Sequence, residues 1–227
     1  MKSYYADRLY GRRLEQVYDI APPRVRQYLD AELSYVAERV RPEDVVLELG
    51  CGYGRILPRL SQTVRLVIGI DLSLANLLFG QERLHDLSNC LLLNMDAVEL
   101  GFQDHVFDRV VCIQNGISAF HVNQRNLIRE SLRVTKPGGT LFFSSYSSKF
   151  WEPRLQWFQL QSDAGLLGPI DCKKTKDGVI ICKDGFTATT VGPSEFLSLV
   201  AGLNVHTEIT EIDDSSIFYV LTSQTAG

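Results

Sequence analysis

The chain has 227 residues, 45% of them hydrophobic and 22% charged, with a formal net charge of −4 at pH 7. This length suits one α/β domain with an appended segment, and the charge balance predicts no general affinity for nucleic acid or an anionic membrane. No apolar run reaches the roughly 18 residues that a membrane span needs, and the first residues lack the apolar core of a signal peptide. The five cysteines form no C-x-x-C pair, so we expect no metal site and a reducing, cytoplasmic setting.

Residues 1–41 are predicted to form a helical leader. Apolar residues recur at helical spacing between Gly11 and Val40, and Pro22-Pro23 are typical of a helix start. The stretch Arg41-Pro42-Glu43-Asp44 separates this leader from the first strand.

After the leader, short apolar runs alternate with helical patterns through residues 42–145. The predicted strands are 45–49, 66–70, 90–93, 109–113 and 140–144. This alternation is typical of a doubly wound, mostly parallel sheet with helices on both faces. One of the intervening helices is predicted to be capped by Ser73 and to bury Leu74, Leu77, Leu78 and Leu84.

The alternation stops after the fifth predicted strand, and we assign residues 146–190 to an insertion. The insertion contains both tryptophans and a predicted hairpin, 179–182 with 186–190. Residues 191–227 follow, with a predicted helix at 193–203 and strands at 204–212 and 216–222. We expect the leader, the alternating part, the insertion and this last part to form a single domain.

The most informative stretch leads from the first predicted strand into three glycines. Glu48 lies at the end of the apolar run, and glycines follow at alternate positions, Gly50, Gly52 and Gly54. Glycines permit a sharp turn and let a ligand approach the backbone closely. The dinucleotide fingerprint G-x-G-x-x-G would need glycine at position 55, which is arginine. The second predicted strand is followed by Asp71, about where a ribose-binding acid is expected.

The residues from Glu48 to Gly54 read E-x-G-x-G-x-G, which resembles the first motif of the class I S-adenosylmethionine-dependent methyltransferases. Asp96 after the third strand and the K-P-G-G turn at 136–139 are similar to further motifs of that family. The resemblance covers about residues 40–223. It implies a seven-stranded sheet with an antiparallel last strand, S-adenosylmethionine as the cofactor, and a small-molecule methyltransferase.

The resemblance also implies a set of cofactor-binding residues. The set consists of Glu48, Gly50, Cys51, Gly52, Gly54, Asp71, Leu72, Asp96, Ala97 and Gln114. In this set, the glycines hold the methionine part of the cofactor. Asp71 accepts hydrogen bonds from the ribose hydroxyls, and Leu72 packs on the adenine face. Asp96 and the next amide bind the adenine edge, and Gln114 closes the methionine end. Three alternatives stay open: Asp96 as a helix cap, Leu72 as core, and Glu48 as a buried acid satisfied by loop amides.

The sequence carries fewer signals for the methyl acceptor. The chain lacks the D/N-P-P-F/Y motif of DNA amino-methyltransferases, because Gly116-Ile117 replace the prolines, and this argues against a flipped base. His121 is a weak candidate for a general base, with polar surface as the alternative. Candidates for the lid and substrate site are Tyr10, Tyr18, Asn115, Tyr146, Trp151 and Trp157, with a satellite core as the alternative.

Three functions are compatible with these patterns. The first is methylation of a small molecule by a monomer or homodimer, beneath a lid made from the leader and the insertion. The second is methylation of RNA or protein, for which the insertion offers Lys173, Lys174, Lys176 and Lys183, interleaved with aspartates. The third is a cofactor-binding regulator that transfers no methyl group. Aminopropyl transfer on the same fold is a further possibility, although no acid-lined acceptor groove is recognisable.

Overall fold

A seven-stranded sheet forms the centre of the computed structural model, which describes Tyr4 and residues 8–224. The strands are β1 (Val45–Leu49), β2 (Leu66–Asp71), β3 (Cys90–Asn94), β4 (Phe107–Cys112), β5 (Thr135–Tyr146), β8 (Val205–Ile212) and β9 (Ser216–Ser223). Their order is β3-β2-β1-β4-β5-β9-β8. β9 runs antiparallel to both of its neighbours, and the pairs among the first five strands are all parallel. The predicted sheet, with its antiparallel last strand, is confirmed.

Helices cover both faces of this sheet, so β1 is buried at all of its positions. They are α1 (Arg12–Asp19), α2 (Pro23–Ala37), α3 (Leu57–Ser61), α4 (Leu74–Leu84), α5 (Gly116–Ala119), α6 (Gln124–Val134), α7 (Trp151–Asp163) and α8 (Pro193–Val200). Buried residues of α2, α3 and α4 pack on one face, and those of α6 and α8 on the other. Within the described part of the chain, no helix is long and apolar enough to cross a membrane.

Several elements differ from the sequence-based expectation. The leader forms two helices, because Pro22 and Pro23 cannot donate the backbone hydrogen bonds that would continue α1. The K-P-G-G segment lies inside β5, where the pairing with β4 shifts register. The expected burial of Leu74 and Leu78 is wrong, since these side chains are 58% and 54% exposed.

The insertion contains more regular structure than its sequence pattern predicts. α7 follows β5 directly, after a 3₁₀ turn at Ser148–Phe150. The predicted hairpin is present and short, with β6 (Ile180–Ile181) antiparallel to β7 (Thr187–Ala188). Pro58 occupies the first turn of α3, where its missing N–H removes no helical hydrogen bond.

The leader and the insertion pack against each other in one apolar cluster. The cluster contains Leu14 and Val17 from α1, Tyr28 from α2, and Trp157 and Phe158 from α7. The Trp157 indole Nε1 donates a hydrogen bond of 2.9 Å to the carbonyl of Val17. Residues 1–3 and 5–7 of the predicted leader lie outside the described residues.

A buried carboxylate attaches the leader to the sheet. Glu32 of α2 is fully buried and accepts a hydrogen bond of 2.6 Å from the backbone N–H of Gln114, which follows β4. It also accepts one from the hydroxyl of Ser216, the first residue of β9. Burial raises the pKa of Glu32 to about 7, although these donors act in the opposite direction. The leader is therefore joined to the carboxyl end of β4 and to the start of β9.

Gly80 allows α4 to approach the glycine loop that follows β1. At an exposed helix position, replacing glycine by alanine stabilises by roughly 1 kcal/mol. At position 80, however, a Cβ would lie 2.6 Å from the carbonyl oxygen of Tyr53 in that loop. We therefore expect Gly80→Ala to lower the free energy of unfolding by about 1–3 kcal/mol, measured in urea.

The matched control is Gln81→Ala at the next, exposed position of the same helix. It should change the free energy of unfolding by less than about 0.5 kcal/mol. A gain in stability for Gly80→Ala would contradict the close approach of helix and loop.

Candidate functional site

A cavity opens at the carboxyl ends of β1, β2 and β4, where open α/β sheets bind their ligands. The predicted cofactor residues on its wall are Glu48, Gly50, Cys51, Gly52, Asp71, Leu72, Asp96, Ala97 and Gln114. Among the lid candidates, Tyr18 is also on the wall. The structure therefore brings together residues that are distant in sequence, as expected for strand ends at one edge of a sheet.

The glycine loop after β1 forms the floor of this cavity. Gly52 has a φ of +57°, and a Cβ on it would lie 2.9 Å from the side chain of Leu14. Gly54 is the one predicted cofactor residue that is not on the wall. Its hydrogen faces α4, since a Cβ there would lie 2.6 Å from Leu84. The third glycine thus serves loop packing, and the first two leave room at the cavity.

Asp71 connects the loop to the start of α4. Its carboxylate accepts hydrogen bonds from the backbone N–H groups of Gly52, at 2.9 Å, and Ser73, at 2.7 Å. Burial is the main cause of the raised pKa of Asp71, and the hydrogen bonds act in the opposite direction. Asp71 therefore has a structural role as well as a position on the cavity wall.

The side of the cavity beyond Asp71 is mostly apolar. Leu72 is 55% exposed and lies on the wall, which does not fit the alternative that it is ordinary core. Met95, Phe120 and Val122 lie on the same wall. Asp96 is also there and accepts a hydrogen bond of 3.0 Å from the backbone N–H of Val98, so it caps a turn in addition to facing the cavity.

The opposite side of the cavity carries polar groups with incomplete hydrogen bonding. Glu48 is only 8% exposed, and burial raises its pKa to about 8. Among the described residues, no donor reaches Glu48 Oε2, and no acceptor reaches Arg55 Nε and Nη2 or Gln114 Nε2. The alternative that loop amides satisfy Glu48 is therefore not met for this oxygen. Arg55 also lies over the ring of Tyr18, 4.6 Å from its centroid.

Most acceptor candidates lie away from the cavity wall. His121 is exposed, and Tyr10, 42% exposed, lies at a second, open depression near the insertion. Asn115 is buried behind the wall, where its amide donates to the carbonyl of Thr189 and accepts from the hydroxyl of Ser145. The remaining three, Tyr146, Trp151 and Trp157, belong to the cluster of leader and insertion. The positions of these three side chains agree with the alternative that they form a satellite core.

Sequence reasoning missed several residues of the wall. They are Leu14, Leu49, Tyr53, Arg55, Ile56, Asn76, Met95, Ile113, Gly116, Ala119, Phe120 and Val122. Many of these are neighbours in sequence of residues that were predicted, so the motifs could have indicated them. Leu14 could not be found in this way, because it reaches the glycine loop only through the packing of α1.

Known proteins resemble this chain in sequence and in fold. A family model described as "Methyltransferase domain" matches residues 46–139. The malonyl-[acyl-carrier protein] O-methyltransferase of Marinomonas sp. (strain MWYL1) is 34% identical over 165 residues, 67% of this chain and 59% of the relative. The demethylmenaquinone methyltransferase of Corynebacterium kroppenstedtii is 35% identical over 108 residues, 48% of this chain and 44% of the relative. The chain thus spans about half the length of these curated relatives.

A solved structure supports the same assignment at the level of the fold. The S-adenosylmethionine-dependent methyltransferase of Methanosarcina mazei superposes with a TM-score of 0.64 at 18% identity, covering 85% of this chain and 98% of its own. The strand order and antiparallel last strand agree with the sequence resemblance that begins at Glu48. Residues 46–139 therefore form a methyltransferase domain, and the chain has the fold of the class I S-adenosylmethionine-dependent methyltransferases.

Proposed function

We propose that this chain transfers a methyl group from S-adenosylmethionine to a small-molecule acceptor at the carboxyl edge of its sheet. The observation that carries the proposal is the cavity, whose wall is made of the predicted cofactor residues and whose cover includes Leu14 and Tyr18 of the leader. The free state of all five cysteines is consistent with a reducing, cytoplasmic setting for this reaction.

The residues present fit S-adenosylmethionine. Gly52 has no side chain, and a Cβ at this position would collide with Leu14 of the leader. Leu72 offers an exposed apolar surface on which a planar ring can pack. The carboxylate of Asp71 accepts hydrogen bonds from two backbone N–H groups. It can accept hydrogen bonds from the hydroxyls of a ribose in addition to these or in exchange for them. Glu48 Oε2 lacks a donor, as stated above for the described residues, and can face positive charge on the ligand.

When bound, S-adenosylmethionine supplies a methyl group that its sulfonium already activates. The residues of this chain then have to orient the ligand and exclude water from the reacting atoms. Leu14, Tyr18 and Phe120 provide apolar cover on the wall, and Asp71 with the glycine loop fixes the ligand's orientation. His121 is exposed, which argues for an acceptor atom that needs no histidine base.

A small acceptor is favoured because Leu14 and Tyr18 of the leader form part of the cavity wall. The insertion lysines that would bind RNA are exposed, and none of them is on the cavity wall. One of them, Lys174, forms an ion pair with Asp171 at 3.8 Å, which is typical of a solvated surface. Of the two curated relatives, one is a demethylmenaquinone methyltransferase and the other a malonyl-[acyl-carrier protein] O-methyltransferase.

Replacing Asp71 tests the cofactor assignment. We expect wild-type protein to bind S-adenosylhomocysteine and no NAD in isothermal titration. Asp71→Asn should weaken the binding by about 1.5–3 kcal/mol, the range for hydrogen bonds to a charged group. It should also lower the melting temperature of the free protein, because an amide cannot accept from both Gly52 and Ser73 as the carboxylate does. Asp30→Ala at an exposed position of α2 is the control and should change neither quantity.

The carboxyl group of Glu48 predicts how binding depends on pH. Its pKa of about 8 means that it is mostly protonated at pH 6 to 7 in the ligand-free protein, whereas the ammonium group at the amino-acid end of the ligand favours the ionised form. The affinity for S-adenosylhomocysteine should therefore rise between pH 6 and 8, by up to roughly tenfold per unit, with release of a proton on binding. Glu48→Gln should remove most of this pH dependence; an unchanged profile would show that Glu48 does not face the ligand's charge.

The class of acceptor can be tested by following the methyl group. Protein incubated with methyl-labelled S-adenosylmethionine should transfer the label to the low-mass fraction of a cell extract, as the proposed small-molecule acceptor requires. Asp71→Asn should reduce that transfer in proportion to its loss of binding. Label in the RNA or protein fraction instead would favour the second function, and label in no fraction would favour a regulator.

A further inference from the structure

We infer that Arg55 binds the α-carboxylate of the cofactor's methionine end, so that the site selects ligands that carry an intact amino-acid group. The inference rests on the proposed function, because it assigns a further residue to the same cavity. In the sequence, Arg55 only distinguished the glycine motif from the dinucleotide fingerprint. In the structure it lies on the cavity wall next to the residues expected to hold methionine.

The position of the guanidinium is the first support. Arg55 follows Gly54 and packs over the ring of Tyr18, 4.6 Å from its centroid, which restrains the side chain on the cavity wall. Its Nε and Nη2 are buried and, within the described part of the chain, have no acceptor. Buried donors without acceptors are unfavourable, more so when they are charged, so a site that retains them is suited to an anionic ligand.

The arrangement around Arg55 is the second support. The positive charge of Arg55 lowers the pKa of Glu48 against the larger effect of burial, yet among the described residues no ion pair joins the two and Glu48 Oε2 has no partner. Gln114 Nε2, on the same wall, is a further donor without an acceptor. The cavity thus offers donors and an acceptor at separate points. An amino acid in its zwitterionic form, with carboxylate and ammonium on one carbon, has the complementary pair of charges.

This assignment separates methyl transfer from aminopropyl transfer. A donor that has lost its carboxyl group by decarboxylation would leave both guanidinium nitrogens unpaired in the cavity. An acid on the methyl acceptor could instead be the anion that Arg55 binds, and the two sources of carboxylate are distinguishable by experiment. A planar guanidinium can bind either one through two parallel hydrogen bonds.

The test compares two ligands that differ in the amino-acid end alone. S-adenosylhomocysteine carries it, and 5′-methylthioadenosine lacks it while keeping the adenosine and the thioether. Isothermal titration of both ligands would be made with wild-type protein, Arg55→Met, Arg55→Lys and the control Arg59→Met, an exposed arginine of α3. Thermal unfolding of each free variant checks that it is folded.

We expect Arg55→Met to weaken the binding of S-adenosylhomocysteine roughly 10- to 100-fold and that of 5′-methylthioadenosine less than about twofold. Arg55→Lys should lose part of the affinity for the first ligand only, because a lysine keeps the charge without the paired hydrogen bonds. Arg59→Met should bind both like wild type.

Other patterns overturn the inference in different ways. Equal weakening of both ligands would make Arg55 a structural residue. Unchanged affinity for both, with a raised KM for the acceptor, would assign Arg55 to the acceptor's acid. If the wild-type protein binds neither ligand, both the proposed function and the inference are contradicted. This outcome is distinguishable from a failure of the inference alone, because it concerns the wild-type protein and not the Arg55 variants.

Discussion

The carboxylate of Asp71 joins the parts of the molecule on which the cavity depends. One oxygen accepts from Gly52 in the loop after β1, and the other from Ser73 at the start of α4. The side chain of Asn76 adds a further hydrogen bond to Asp71 and accepts one of 2.8 Å from the backbone N–H of Gly11 in the leader. Loop, helix and leader are thus held in register by one buried network, and each of its members is a backbone or short side-chain group with little freedom to move.

A second network lies on the other side of the cavity and has a different character. Glu32 binds the backbone of Gln114, and Gln114 and Asn115 both adopt positive φ, +57° and +62°. Non-glycine residues in that conformation need surrounding contacts to hold them. The amide of Asn115 is fixed by Thr189 and Ser145, so the turn after β4 is held from the leader, from β5 and from the insertion at once. This explains how three segments that interrupt or flank the regular α/β alternation still contribute to one site.

The sequence predicted those parts of the structure that follow from local rules. The glycine loop and Asp71 could be identified because parallel strands must end at the same edge of a sheet, which brings their following residues together. The cover formed by Leu14 depends on how α1 packs, and no local pattern contains that information. The burial of Leu78 was predicted wrongly for a related reason: an apolar repeat shows that a helix can be buried, but not how much of its circumference the sheet covers. β3 is an edge strand of the sheet, and the side chain of Leu78 on the neighbouring helix α4 remains exposed.

The hydrogen bond from the Trp157 indole to Val17 gives the molecule an internal optical reporter. Both tryptophans of the chain belong to α7, and Trp157 is buried against α1, with its ring centroid 6.2 Å from that of Tyr18. The guanidinium of Arg55 packs over the ring of Tyr18, and Tyr18 also lies on the cavity wall. The ring of Tyr18 therefore lies between the fluorophore and the cavity. Displacement of the leader would expose the indole to water and shift its emission to the red, so a movement of the leader can be followed in the unlabelled protein.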